Sequence, residues 1–268
     1  SADFGTPSAP PTHPDLLDWL ACEFMDQGWS LKELHRLMVS SATYRQSSNL
    51  TVLKRQQDPE NRYLSRSSRS RVDAEMVRDL LLSGSGLLSG KMYGPSVYPP
   101  QPSSVTALAY GSTKWNSSTG EDRYRRSLYT FSKRTAPFAA FSVFDAPSGE
   151  ICVARRDRSN TPLQALTLLN DEMFIEMARE LARKAMDLEL TSPDGRARDI
   201  FRRLRIRPPS ESEIKALVEF QQTQVSRLSN GELNAGHITG LEQTSDEQAS
   251  WVMVARVVMN LDETITNQ

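Results

Sequence analysis

Three arginines, Arg155, Arg156 and Arg158, stand immediately before Ser159-Asn160-Thr161-Pro162. Thr-Pro is a helix start, because a proline in the first turn gives up an N–H that has no intrahelical partner anyway. The remaining first-turn N–H groups are open, so a turn flanked by guanidinium groups can hold an anion. Arg126, Arg134, Asp145, Arg155, Arg156 and Asn160 are the candidate ligand-binding residues on this reading. The favoured reading is internal: Asp145, Glu150 and Asp157 neutralise the arginines. At least one of Arg155 and Arg156 is then expected to bond to Asp145 or to backbone carbonyls of residues 122–150. From Asp122 to Arg158 the chain carries eight basic against four acidic residues. That excess would suit a sulfated or carboxylated glycan, or an acidic partner surface.

Other chemistries find less support. Glycoside hydrolysis needs two carboxyls at a set separation. Asp145 and Glu150 are the nearest pair, but Asp145 precedes Ala146-Pro147 and reads as a turn cap. His13, His35 and His237 are scattered, and no H-E-x-x-H, C-x-x-C, G-x-S-x-G or phosphate-loop pattern occurs, so no metal site is expected. Cys22 and Cys152 leave a single bridge open, and neither is followed by x-x-C-H, so no haem is expected in this chain. Cys152 reads as a small buried hydrophobe, with arginines near enough to lower its thiol pKa.

The elements that would carry these residues are helices. The 268 residues are 38% hydrophobic and 24% charged, as in folded globular domains. The net charge of −1 gives no general attraction to nucleic acid, and no apolar run reaches membrane-span length. Seven lysines leave 25 of the 32 basic residues as arginine, the residue suited to planar bidentate pairing.

Residues 1–12 read as a linker or truncated start, and 13–268 as one helical domain, loop-rich at 91–160. Helices are expected near 13–27 and from Ser30, which forms a capping box with Glu33. The hairpin at 13–41 is expected to pack on a helix at 73–82 in one core, with Leu34 buried. Asp58-Pro59 reads as a brief helix start. Further helices are expected from Thr161-Pro162, at 171–186, and from Ser192-Pro193, Ser210 and Ser245, with an exposed loop at 229–244. Ser127 to Phe131 and Ile151 to Ala154 are the strand candidates. The fold class is mainly α, an irregular helical domain with at most a small β-ladder.

Several stretches, in order, carry a family likeness: HPDLLDWLACEF, GWSLKELHRLMVSSATYRQSS, DPENRYLSR, RVDAEMVRDLLL, GPSVYP, YRRSLYTFSKRTAP, FDAPSGEICVARRDRSNTPLQALTLLND and ARVVMNLDETIT. The chain resembles a C-terminal domain of unknown function found in large exported planctomycete proteins, downstream of a c-type cytochrome domain. Ser132 stands where that family often has an aromatic. The resemblance implies a periplasmic or cell-surface setting, haem only in a domain upstream, and partners among upstream domains of the same polypeptide or anionic polysaccharide. The function expected is a non-catalytic scaffold or binding module; the alternative is a polysaccharide-acting hydrolase or anionic-glycan-binding domain using the arginine-rich segment.

Overall fold

The computed structural model describes residues 10–102, 104–105, 115–134, 136–187, 192–205 and 207–267. The fold is mainly α, and the chain divides into two compact units, Val72–Ile265 and the remainder on either side of it.

The first unit begins with α1 (Pro14–Asp26), which has proline in its first turn. Gly28 and Trp29 then take positive φ, and the Trp29 ring packs edge-on against Phe24 at 5.3 Å. Helix α2 (Leu31–Ser40) starts where Ser30 accepts the Glu33 N–H. The reciprocal half of the expected box is missing, because the Glu33 carboxylate pairs with Arg36 at 2.6 Å instead.

No residue of α1 or α2 is buried, and Leu34 is only half-buried. Residues 73–82, expected to share a core with this hairpin, belong to the other unit. Asp58 does not open a helix either. It closes α3 (Val52–Gln57), and its carboxylate accepts the N–H groups of Arg62 and Tyr63, folding a loop. The ladder of this unit pairs β1 (Ser70–Arg71) antiparallel with β2 (Thr266–Asn267).

The second unit contains α4 (Ala74–Ser85), ended by Gly86 in the left-handed conformation, and α5 (Ala139–Val143). Then follow α6 (Pro162–Asn170), α7 (Glu172–Asp187), α8 (Pro193–Leu204), α9 (Glu211–Ser229), α10 (Ala235–Thr239) and α11 (Asp246–Met259). Its core forms where α11 packs on α7 and α9. Met177, Leu181 and Ala185 of α7 meet Trp251, Val254 and Val258 of α11 in one apolar cluster. Helix α10 lies inside the expected 229–244 loop, capped by the Asn234 side chain and bonded from Arg179 through the carbonyls of His237 and Ile238.

Neither strand candidate forms a strand. Ser127–Tyr129 is a 3-10 turn, because Asp79 takes the Ser127 N–H. Residues 151–154 are exposed, Cys152 included, which corrects its expected burial. Both cysteines are free.

Candidate ligand groove beside helix α4

The amphipathic pattern of α4 contains an anomaly. Its buried side is Ala74, Val77, Arg78, Leu81 and Leu82, so an arginine occupies a core position. Met76 and Leu80 of the same helix are exposed. A buried charge is stable only when hydrogen-bonded. The Arg78 guanidinium donates to the carbonyls of Arg125 at 2.6 Å and Arg123 at 3.0 Å, and its Nε lies 3.2 Å from the Met173 sulfur. Those carbonyls belong to irregular backbone that cannot satisfy itself within a helix or sheet. Burial lowers the Arg78 pKa to about 10, partly opposed by Asp79, so the group stays charged at neutral pH.

Arg125 repeats the device one layer out. It is fully buried, donates to the carbonyls of Pro95 and Tyr93, and lies 3.8 Å over the Tyr129 ring. Tyr93 has a φ of +63°, and its N–H donates to the Tyr129 hydroxyl at 2.8 Å. A third attachment reaches α7. Arg123 pairs with Glu172 and Glu176, and the Tyr124 hydroxyl donates to Glu176 at 2.5 Å. Burial first, and the Glu176 carboxylate second, push the Tyr124 pKa up to about 12.

The turn before α6 is closed differently from the expectation. Asp145, at a φ of +62°, accepts the Ser159 N–H at 2.7 Å and the Ser159 hydroxyl at 2.8 Å, with Gln164 at 3.4 Å. Asp145 is thus the anion that this turn already holds. Arg156 does not bond to Asp145 or to the 122–150 carbonyls; it forms a fork with Glu75 of α4, at 2.6 and 3.1 Å. Burial raises the Glu75 pKa, but the Arg156 hydrogen bonds and charge, with a backbone N–H, bring it below its ordinary value. Arg134, Arg155 and Asn160 are exposed, and among the described residues Arg155 has no hydrogen-bond or ion-pair partner.

Between α4, the 126–132 stretch and α5 lies a groove of about 430 Å³. Glu75 and Asp79 line the α4 side, Arg126 and Thr130 the irregular segment, and Phe138 and Phe141 the α5 side. An aromatic cluster supports it: Phe138 stacks on Trp115 at 5.9 Å and meets Phe141 edge-on at 5.0 Å, while Phe131 lies 4.9 Å from Tyr98. Of the six candidate residues, Arg126 alone lines this groove, and Arg156 positions its wall. Arg78, Glu75 and Asp79 were not signalled in the sequence. The one available sign was Arg78 standing between Ala74 and Leu82 on the apolar side. Among the described residues no group of His, Cys, Asp and Glu could hold a metal ion, and no helix could cross a membrane.

The resemblance noted in the sequence is decided by a family model that matches residues 1–221. The chain belongs to the PSD1 family, proteins of unknown function (DUF1553). No curated protein and no solved structure matches it. The PSD1 match takes in the whole groove and stops within α9, before the core-forming α11.

Proposed function

We propose that the chain is a non-catalytic helical scaffold and binding module, carried in an exported, cytochrome-associated planctomycete protein at the periplasm or cell surface. The carrying observation is how the central charges are used. Arg78, Arg123, Arg125 and Arg156 each have partners within their own unit, and Asp145 closes a turn. A closed network of this kind organises an irregular backbone. Within it Glu75 is held ionised by Arg156, so that carboxyl is not poised to protonate a leaving group.

One observation favours the alternative of a polysaccharide hydrolase: Glu75 and Asp79 lie one helical turn apart along the same groove. Incubation with acidic polysaccharides, read by release of reducing ends, separates the two. The scaffold and binding reading expects no release. Release that disappears in Asp79→Asn would install the hydrolase in its place.

A further inference from the structure

The charges around the groove do not cancel. Glu75 is bonded to Arg156. The Asp79 Oδ1 accepts the Ser127 N–H at 2.7 Å and lies 3.8 Å from the buried Arg78 guanidinium. Glu75 thus has Arg156, while Asp79 lies between Arg78 and Arg126. Arg126 is the remaining cation among the described lining residues. Its side chain is 50% exposed, its Nε is 3.7 Å from Asp79, and among the described residues its guanidinium makes no hydrogen bond. The Thr130 hydroxyl, also in the wall, is buried without a partner.

We propose that this groove binds a small organic monocarboxylate with an apolar, ring-sized body. The proposal rests on the binding reading above and names its ligand. The Arg126 guanidinium leans on Asp79 through its Nε alone, and its two terminal nitrogens, without a hydrogen bond among the described residues, are the groups left to meet one carboxylate. A planar guanidinium fork takes a carboxylate through two parallel hydrogen bonds, and the apolar surface beside it favours an organic anion over a bare inorganic one. Phe138, Phe141 and Met76 give the body an apolar bed, and 430 Å³ is the lower part of the range for small-molecule sites. The chemistry to be recognised is thus a carboxyl group attached to an aromatic or alicyclic ring.

Titration of the whole chain with 3-phenylpropionate, followed by two-dimensional amide NMR, tests this. Shifts are expected around residues 126–132 and 138–142. 3-Phenylpropanol, which keeps the ring and lacks the carboxylate, is expected to bind about tenfold more weakly or worse, the usual effect of losing a charge-assisted pair. Arg126→Ala should cost 3-phenylpropionate a similar factor, and Arg126→Lys should lose most of it because the fork is gone. Equal binding of the alcohol, unchanged binding by a folded Arg126→Ala, or equal binding of inorganic sulfate would each overturn the proposal. The comparison of acid and alcohol on the unmodified chain decides the matter even if the variant does not fold. Failure of all these ligands, with no reducing ends released from polysaccharide, removes the monocarboxylate and leaves the scaffold standing. Reducing-end release removes the reading on which both rest.

Discussion

Arg78 is 1% exposed and is the donor for two backbone carbonyls some fifty residues ahead in the chain. Replacing it by alanine leaves those carbonyls without a partner inside the protein. Loss of one member of a buried charged network typically costs about 3–5 kcal/mol. Denaturant unfolding of Arg78→Ala should show a loss of that size, and a loss below about 1 kcal/mol would remove Arg78 from the scaffold. Arg156 differs in degree. Its fork with Glu75 is about one-third exposed on both sides, 35% and 33%, so solvent screens it. Arg156→Ala should cost about 1 kcal/mol at most, measured in the same way. Such distinctions were not legible in the sequence. Arg156 was visible as part of a cluster, but its partner Glu75 lies 81 residues away. Arg78 lay inside the stretch RVDAEMVRDLLL but had no chemical spacing to single it out, and only a tertiary contact explains why a charge occupies the apolar side of a helix.

Helix boundaries were legible because the signals that set them are local. Pro162, Pro193 and Ser210 stand at or next to the starts of α6, α8 and α9. The reciprocal capping box forms at Ser210 and Glu213, whereas at Ser30 a nearby arginine takes the glutamate. Short elements were less legible: α3 and α10 have five or six residues, too few to show a period. At the start of α9 the box carries an electrostatic signature. Hydrogen bonds from Arg207 hold the Glu213 carboxyl at about 2, burial opposing and Ser210 assisting. The folded pKa lies below the unfolded value, so the contribution is present above the unfolded pKa and is lost as acid takes the solution down through the folded one. Glu213→Gln should therefore lower the melting temperature near neutral pH, and the difference should shrink as the pH falls from about 4.5 to about 2. A difference that stays constant across that window would detach Glu213 from the network. Because the carboxylate is one-third exposed, the effect should be modest, about 1 kcal/mol.

At the scale of the molecule, burial is uneven. Leu181 of α7 is fully buried beside Trp251, and Leu181→Ala should cost about 2–5 kcal/mol as a cavity in a packed core. Leu34 is half-buried and lies in the unit without buried hairpin residues. Leu34→Ala should shift unfolding by about 1 kcal/mol or less, and a core-sized loss would show that this hairpin is covered in solution. The mainly α class followed directly from helical periodicity. The division into two units did not, because the first unit takes its closing strand from the far end of the chain. In the second unit the Val72 N–H donates to the Ile265 carbonyl at 3.0 Å, so the first and last residues of that stretch touch. A stretch that leaves where it enters behaves topologically as an insertion. Residues 72–265 could be cut out, their ends joined by a few small residues, and new termini opened at an exposed turn, with no crossing of the chain to undo.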